Sequence, residues 1–461
     1  MKEYCPVAKT VPIVVQMITL GCAKNLVDAE VMCGTLAANG ILLTTDPEEA
    51  DLILINTCSF IQDARKEADQ SIRSALKWKK QGQRAGLSRA VAVAGCLPQR
   101  NPQECAAQYP DVDFFLGLDD VPRVHELIRA FYDGTVSLPL PLPSAELPGY
   151  LYDHQTPRIT VTAENYAYIK IAEGCNHRCA FCAIPNIRGH LRSRQPDSVL
   201  AECEQLLAQG ARELNFIAQD STSYGKDLGS SLVQLLKRCE QLPGEFWLRV
   251  LYTHPLHVTE EFLELLAHGT HVVPYLDMPL QHISSPVLQN MRRGMDGPQT
   301  RKLLEHIRKD FPEIAIRTTF LTGFPGETDQ DFQELQSLLT EIRFERLGVF
   351  AFSPEENTPA LSLPDDKVPA STANRRRNAL LKAQQGISLA HNQALIGQTL
   401  RILPEEKLQG RSFIGRSAAD APEVDQLIQF QGLPGRRQDM GFAKVRITAC
   451  GPYELKGVEV V

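Results

Sequence analysis

The chain has 461 residues, which is long enough for two to four domains with sizeable hydrophobic cores. Hydrophobic residues make up 43% and charged residues 22%, a composition typical of a soluble globular protein. The formal net charge of −7 argues against a chain whose whole surface is basic for nucleic-acid binding, although it leaves room for a local basic patch.

The apolar run near the amino terminus, residues 11–20, is short and contains Gln16. It lacks a small-residue cleavage site and cannot span a bilayer, so we expect a buried strand and a cytoplasmic protein with no membrane partner. Because disulfides are disfavoured in the cytosol, the clustered members of the twelve cysteines indicate metal binding. The isolated cysteines are predicted to be small buried hydrophobes: Cys5, Cys33, Cys105, Cys203, Cys239 and Cys450.

Residues 11–132 alternate between strand-like and helix-like patterns. This alternation predicts a doubly wound α/β domain with a parallel sheet. The predicted strands cover residues 11–20, 51–56, 89–94 and 114–116, and the predicted helices cover 26–39, 64–80, 102–108 and 121–132.

Three cysteines of this domain, Cys22, Cys58 and Cys96, each fall within two or three residues of the carboxyl end of a predicted strand. Loops at those ends converge on the ligand site in open α/β sheets. Three thiolates delivered to one rim could hold a [4Fe-4S] cluster with one iron open. The alternative is three separate core cysteines, and the shared position at strand ends favours the cluster.

Residues 133–160 are predicted to be a linker, since residues 138–144 form a proline-rich, extended run. The next segment contains Cys175, Cys179 and Cys182, three cysteines within eight residues. Thiolates at this spacing can hold three irons of a second [4Fe-4S] cluster and leave the fourth iron open. Zinc with His177 as a fourth ligand is the alternative, but His177 lies between two of the cysteines, unlike the paired spacing of zinc sites.

Residues 161–395 repeat a strand–helix pattern six times, which predicts a partial (β/α)6 barrel whose chemistry lies at the carboxyl ends of its strands. The cysteine motif follows the first of these strands. Polar or glycine-containing loops follow others, and we expect cofactor contacts from Gln219, Asp220, Gly323 and Gly326, where glycine would let backbone approach a ligand. An ordinary turn into a helix is the alternative for the two glycines.

Residues 396–461 are strand-like with Gly and Pro turns and predict a small β-barrel. Nine Lys and Arg stand there against eight Asp and Glu, a near-neutral balance that suits a phosphate backbone poorly. Three of the acids, Asp420, Glu423 and Asp425, lie close together in one segment of this barrel. A solvated loop is the usual explanation for any one of them.

The run from Cys175 to Arg194, CNHRCAFCAIPNIRGHLRSR, resembles the methylthiotransferases of the radical S-adenosylmethionine (SAM) superfamily. The contexts LGCAKN, NTCSFI and AGCLPQR resemble the amino-terminal domain of these enzymes, where the cysteines ligate an auxiliary [4Fe-4S] cluster. The carboxy-terminal segment resembles their TRAM domain, an RNA-binding module in some relatives. Together these motifs cover nearly all of the chain.

The resemblance implies two [4Fe-4S] clusters, SAM, an electron donor and a sulfur donor. Residues 415–425, GRSAADAPEVD, resemble the branch that modifies the β-carbon of an aspartate in small-subunit ribosomal protein twelve, and this branch is the function we expect. A ribosomal protein is typically basic, so we expect Asp420, Glu423 and Asp425 of this stretch to help form an acidic face for that substrate. Two alternatives remain at this point: a methylthiotransferase of tRNA adenosine, and a non-enzymatic Fe–S or zinc protein that binds the ribosome or RNA.

Overall fold

The structure is a computed structural model that describes residues 12–135, 142–144, 146–162, 165–364, 367–437 and 441–461. Residue 11, at the start of the first expected strand, and most of the proline-rich run 138–144 lie outside these residues, as does Cys5. Within the described ranges no helix has both the length and the apolar character needed to cross a membrane.

The amino-terminal part has the strand–helix alternation that its sequence predicts. Its strands are Val14–Thr19 (β1), Leu42–Thr44 (β2), Leu52–Thr57 (β3), Ala90–Gly95 (β4) and Phe114–Leu116 (β5). Its helices are Ala23–Ala38 (α1), Gln62–Arg84 (α2), Cys96–Arg100 (α3), Pro102–Gln108 (α4) and Val124–Tyr132 (α5).

All five strands are parallel and lie in the order β2-β1-β3-β4-β5. Ile53 and Ile55 of β3 pack with Ile72 and Trp78 of α2, while the alternate residue Leu54 is also fully buried. Burial on both faces is the pattern of a doubly wound sheet, so the predicted fold is confirmed. The edge strand β2 was not predicted because it is only three residues long and carries exposed leucines.

The middle of the chain forms two three-stranded parallel sheets. Its strands are Tyr166–Lys170 (β6), Ala172–Glu173 (β7), Arg192–Ser193 (β8), Glu213–Ile217 (β9), Trp247–Val250 (β10), Tyr275–Asp277 (β11), Ala315–Thr322 (β12) and Arg346–Ala351 (β13). Its helices are Ile184–Arg188 (α6), Pro196–Ala208 (α7), Leu232–Cys239 (α8), Glu260–His268 (α9), Ser285–Asn290 (α10), Gly297–Asp310 (α11), Asp329–Ile342 (α12) and Ala370–Ala394 (α13).

The sheets have the orders β10-β9-β6 and β11-β12-β13, and a parallel bridge between Leu248 and Val272 joins them. Six parallel strands with intervening helices are the predicted partial barrel, which is confirmed. The short strands β7 and β8 instead pair antiparallel with each other, Ala172 opposite Ser193.

The carboxy-terminal part is a closed five-stranded barrel, also as predicted. Its strands are Thr399–Lys407 (β14), Ser412–Ser417 (β15), Leu427–Gln431 (β16), Ala443–Cys450 (β17) and Glu454–Glu459 (β18), in the order β14-β15-β16-β18-β17. Along β17, Val445 and Ile447 point into the core whereas Lys444 and Arg446 are exposed, the period-2 alternation expected of a small barrel.

The chain divides into two compact units. The first comprises Met1–Val161, Ala172–His177 and Cys182–Arg194; the second comprises Thr162–Ile171, Arg178–Phe181 and Gln195–Val461. Five of the six cysteines predicted to bind clusters belong to the first unit, and Cys179 belongs to the second. Of the isolated cysteines, Cys33, Cys105, Cys203 and Cys239 are buried, as predicted, while Cys450 is half-buried.

Candidate active site

The three cysteines of the first domain follow three adjacent parallel strands. Cys22 is the N-cap residue of α1, just beyond β1; Cys58 directly follows β3; and Cys96 directly follows β4 and is the first residue of α3. Strands β1, β3 and β4 are neighbours in the sheet, so all three cysteines lie at its carboxyl edge. The predicted convergence on one rim is therefore what the fold provides.

Asn25, in the first turn of α1, lies among these cysteines. Its Oδ1 is 3.8 Å from Cys22 Sγ and 3.6 Å from Cys96 Sγ, while its Nδ2 donates to the carbonyl of Thr57 at 2.8 Å. The amide is thus fixed from the strand side and presents its oxygen to two sulfurs. Both thiols are within reach of one small volume, as a shared metal cluster needs.

Glycines let the cysteine loops approach each other closely. Gly21 has a φ of +96°, and a Cβ there would lie only 2.5 Å from Cys58 Cβ. Gly95 has a φ of +93°, and a Cβ there would clash with Asn56 Oδ1. A glycine immediately before a cysteine after a strand was a signal available in the sequence, because only glycine adopts this conformation without strain.

Arg188, at the end of α6, enters the same site, and sequence reasoning missed it. Its side chain is only 2% exposed. Nη1 donates to Glu173 Oε2 at 2.9 Å, and Nη2 donates to Asn25 Oδ1 at 2.6 Å, to Asp28 Oδ2 at 3.0 Å and to Cys96 Sγ at 3.4 Å. A buried cation therefore contacts one sulfur of the cysteine set directly.

The three thiols differ in their acidity. Burial raises the pKa of the Cys96 thiol to about 12 and also raises the pKa of Cys58. Burial acts in the same direction on Cys22, but the positive charges of Lys24 and Arg188, together with backbone hydrogen bonds to the sulfur, outweigh it and hold the pKa of Cys22 below its usual value. Cations near the sulfurs favour the deprotonated form that binds metal.

The second cysteine motif begins where β7 ends. Cys175 N donates to Gly189 O at 3.0 Å, and the backbone N–H of His177 donates to Cys175 Sγ at 3.4 Å. A backbone N–H directed at the sulfur supports a thiolate at Cys175. Cys182 lies two residues before α6, in the same unit as Cys175.

Cys179, in the second unit, has its own buried arginine. Arg293 Nη1 donates to Cys179 Sγ at 3.4 Å, and Arg293 Nη2 donates to Pro279 O at 2.7 Å. Arg293 follows α10 and is buried, and the backbone N–H of Ala180 donates to the carbonyl of the neighbouring Met291 at 3.0 Å. Sequence reasoning also missed Arg293, whose MRRG context carried no signal by itself.

Asp220, predicted to contact a cofactor, follows β9 at the carboxyl end of the strand, and Gln219 precedes it. Asp220 is buried and caps the turn that follows, accepting from the backbone N–H of Thr222 at 3.0 Å. Its other oxygen lies 2.5 Å from Ser223 Oγ and 3.2 Å from His257 Nδ1. The carboxylate is held by groups from two successive strand-end loops, and His257 is a polar member of this cluster that the sequence did not single out.

Gly323 and Gly326 follow β12, and both have positive φ values, +78° and +82°. A Cβ at Gly323 would clash with Ala373 Cβ of α13, and the N–H of Gly323 donates to Glu327 Oε2. Glu327 in turn pairs with Arg376 at 2.8 Å. Close packing on a helix is thus one reason for glycine here, and cofactor contact by these residues stays a prediction.

The expected acidic face of the terminal barrel is wrong for two of its three acids, Asp420 and Asp425. Asp420 is fully buried and accepts from Arg346 Nε at 3.0 Å. Asp425 accepts from Tyr275 Oη at 2.5 Å, and its side chain is 2% exposed. Glu423 is exposed but accepts from Tyr166 Oη at 3.0 Å. All three acids thus accept hydrogen bonds from arginine or tyrosine side chains of the six-stranded barrel in their own unit.

Glu213 extends this internal contact. Its carboxylate accepts hydrogen bonds from Arg249 Nε at 2.7 Å and from Arg416 Nη2 at 2.6 Å, and all three side chains are 0% exposed. Arg416 belongs to β15 and Glu213 to β9, so the pair connects the terminal barrel to the six-stranded barrel. A buried network of this kind fixes the orientation of the two parts within the second unit.

Burial also changes the charge that the terminal barrel shows to solvent. Among its described residues, seven Lys and Arg are exposed (401, 407, 411, 437, 444, 446, 456), against three Asp and Glu (406, 423, 454). The near-neutral balance of the sequence becomes a basic exposed surface, because acids are used in internal pairs. The charge of the terminal barrel therefore does not disfavour binding to a phosphate backbone.

Family models match three stretches of the chain. Residues 14–117 match "Uncharacterized protein family UPF0004", residues 169–339 match "Radical SAM superfamily" and residues 396–460 match "TRAM domain". Among solved structures, a radical SAM methyltransferase, TsrM from Kitasatospora setae, is similar with a TM-score of 0.55 and 16% identity, over 74% of this chain and 73% of that one. With the six-stranded barrel and the cysteine motif after its first strand, these matches define a radical SAM enzyme, a class that implies SAM and a [4Fe-4S] cluster.

Curated relatives are more specific. "Ribosomal protein uS12 methylthiotransferase RimO" of Syntrophotalea carbinolica is 43% identical over 448 residues, 96% of each chain. The protein of the same name from Heliobacterium modesticaldum is 43% identical over 446 residues, 96% of this chain and 94% of that one. The chain belongs to the RimO family of radical SAM methylthiotransferases, which confirms the predicted branch and makes it an enzyme of the transferase class.

Proposed function

We propose that this chain inserts a methylthio group at the β-carbon of an aspartate in small-subunit ribosomal protein twelve, uS12, by radical SAM chemistry. Membership of the RimO family supports the substrate. The observation that carries the chemistry is the gathering of Cys22, Cys58 and Cys96 at one sheet edge around Asn25, in the same chain as the motif of a radical SAM enzyme.

Both cysteine sets suit a [4Fe-4S] cluster by their donors. Each offers three soft thiol ligands and no fourth cysteine nearby in sequence, so one iron of each would stay open. Buried N–H donors reach a sulfur in each set, from Arg188 to Cys96 and from Arg293 to Cys179. We therefore assign one cluster to Cys22, Cys58 and Cys96 and another to Cys175, Cys179 and Cys182.

When bound, the clusters would supply the electron that cleaves SAM and the sulfur of the methylthio group. A second SAM would supply the methyl group, and the 5′-deoxyadenosyl radical would take up the hydrogen atom lost from the β-carbon. The residues of the chain position the reactants. We assign Gln219, Asp220, Gly323 and Gly326 to the SAM site, because the loops that carry them follow strands of the barrel at their carboxyl ends. Asp220 is already held by Ser223 and His257, so it needs no reorganisation when a ligand arrives.

The reaction also requires an electron donor and a sulfur donor, which we propose as further partners. The electron donor would supply the electron for SAM cleavage, and the sulfur donor would replace the sulfur used in each turnover. Correct placement of the substrate carbon is the protein's main contribution, because orienting two reactants removes most of the entropic barrier.

The test begins with anaerobic reconstitution of the protein with iron and sulfide. SAM and a reductant are then added in two parallel reactions, one with a uS12 peptide that contains the aspartate and one with a tRNA. Added methylthio mass on the peptide supports the proposal. Mass on the tRNA alone would overturn the substrate in favour of the tRNA alternative, which the basic exposed surface of the terminal barrel favours. Absence of 5′-deoxyadenosine would return the chain to the non-enzymatic alternative.

A further inference from the structure

Arg188 is an unusual buried arginine because one of its donors is directed at a cysteine sulfur. Its guanidinium is 2% exposed and reaches Cys96 Sγ at 3.4 Å. It is fixed by Glu173 on one side, and by Asn25 and Asp28 on the other. A guanidinium held from both sides cannot turn away from Cys96 without breaking charged hydrogen bonds.

The two carboxylates make the burial of this cation tolerable. Taking a charged group out of water is strongly unfavourable unless it is paired. Asp28 and Glu173 lie 3.0 Å and 2.9 Å from the guanidinium nitrogens and have side chains that are 5% exposed. Both acids bind through one oxygen each, and together their negative charges compensate the guanidinium charge. The hydrogen bond to sulfur is therefore not needed to compensate the buried charge.

The position of Arg188 in the chain links the two cysteine sets. Arg188 lies six residues after Cys182, at the end of α6. Ala183 and Ile187 of the same segment pack with Cys96 in a small buried cluster. The segment from Cys182 to Arg188, which lies in the first unit, thus carries a cysteine of the second motif. The same segment packs apolar side chains against Cys96 of the first motif and donates a charged hydrogen bond to its sulfur.

We propose that Arg188 is a positioning residue that orients Cys96 as a ligand and raises the reduction potential of the cluster at Cys22, Cys58 and Cys96. The inference rests on the proposed function, in which these cysteines hold a cluster. A hydrogen bond to a ligand sulfur stabilises the more negative, reduced form, and such bonds are among the means by which proteins set cluster potentials. Glu173 and Asp28 oppose part of this effect by their negative charge.

The experiment uses the full chain with Cys175, Cys179 and Cys182 replaced by Ala, so that only one cluster remains. The reconstituted protein is titrated with a reductant, and the reduced cluster is followed by electron paramagnetic resonance. Arg188→Gln should shift the potential to more negative values, with at least a tenfold fall in the ratio of reduced to oxidised cluster at fixed potential, about 59 mV for one electron. Arg188→Lys keeps the positive charge but loses the planar guanidinium with its several N–H donors, so it should lower the potential less than Arg188→Gln does.

Arg89→Gln is the matched control. Arg89 is also a buried arginine of the first unit, paired with Glu48 at 2.7 Å, but it precedes β4 whereas Cys96 follows it, roughly 20 Å away by the rise of a strand. Its loss should leave the potential unchanged. A potential in Arg188→Gln equal to that of the parent, at equal iron content, would overturn the inference.

Two further outcomes are distinguishable. If neither Arg188 variant takes up iron while Arg89→Gln does, the circular dichroism spectra of the Arg188 variants decide. A folded protein without iron supports the role of Arg188 in holding Cys96 as a ligand, and an unfolded protein overturns it, because the arginine then serves stability. If the parent with the three alanines binds no iron at all, the proposed auxiliary cluster itself is wrong and the inference is overturned with it.

Discussion

Arg188 of the first unit and Arg416 of the second are both almost fully buried, and both are clamped by carboxylates, yet their remaining donors face different partners. Arg416 donates to Glu213, to Glu405 and to the carbonyl of Asp420, all oxygen acceptors. Arg188 donates to three oxygens and to a sulfur. Burial of an ion pair is weak evidence for a role in stability or in function. The chemical nature of the remaining acceptor is the informative difference.

Arg293 resembles Arg188 in that it also donates to a cysteine sulfur. Its other hydrogen bond goes to a backbone carbonyl, and within the part of the chain that the structure describes no carboxylate forms an ion pair with it. Arg188 is compensated by two carboxylates and Arg293 by none of the described ones. The cysteine sets of the two proposed clusters therefore have different electrostatic surroundings.

The largest effect is expected when the three cysteine sulfurs of one proposed cluster are removed. Replacing Cys22, Cys58 and Cys96 with Ala should abolish methylthio product and leave 5′-deoxyadenosine formation intact, with iron falling from about eight to about four per chain. Replacing Cys175, Cys179 and Cys182 should abolish both activities with the same loss of iron. Iron analysis and mass spectrometry measure these outcomes.

The control for the cysteine variants is Cys33→Ala, a buried cysteine of α1 that lies outside both sets. It should keep full iron content and activity. Methylthio product at the parental rate from the first triple variant would remove the auxiliary cluster from the mechanism.

Glu213→Ala removes the buried carboxylate that Arg249 and Arg416 share. This change leaves Arg249 and Arg416 buried without their shared partner, and it should destabilise the second unit by about 3–5 kcal/mol. Glu245→Ala is the matched control, because Glu245 also pairs with an arginine of the terminal barrel, Arg401, but is 69% exposed; its loss should cost about 0–1 kcal/mol. Denaturant unfolding followed by circular dichroism compares the two, and equal stability would contradict a structural role for the buried network.

A smaller effect is expected at the glycines that shape the cysteine rim. Gly95→Ala places a Cβ against Asn56 Oδ1 at a positive φ, so it should cost about 1–3 kcal/mol and reduce iron bound at Cys96. Gly86→Ala has a similar φ of +78° but meets nothing within 4 Å, and it isolates the cost of the backbone conformation alone. If both variants unfold at the same denaturant concentration, the close approach at Gly95 contributes nothing to stability.

The smallest effect concerns exposed charge. Reversing Lys444, Arg446 and Lys456 to Glu should weaken binding to the assembled small ribosomal subunit several-fold at low salt and less at high salt, because screening reduces surface electrostatics. Iron content and SAM cleavage should stay at parental values. An affinity independent of both the reversal and the salt concentration would show that this surface does not face the ribosome.

Much of the fold followed from periodicity. The strand–helix alternation, the six repeats of the barrel and the small terminal barrel were all predictable, since burial on one face leaves a period in the sequence and burial on both faces leaves a short apolar run. The edge strand β2 was not, because its exposed leucines carry no such period. The strand ends with cysteines or polar loops were likewise visible, since a strand followed by a turn is a local feature.

The sequence by itself determined the cysteine sets, their position after strands and the branch of the family, because these depend on local spacing and on motifs. Only the tertiary structure decided which charged residues face inward. Asp420 and Asp425 were expected to face a substrate and instead bind Arg346 and Arg317 of their own unit. Arg188 was one basic residue among several in its motif until the fold placed it beside Cys96. A sequence records that a residue is charged, but its partner is set by packing between segments that are distant in the chain.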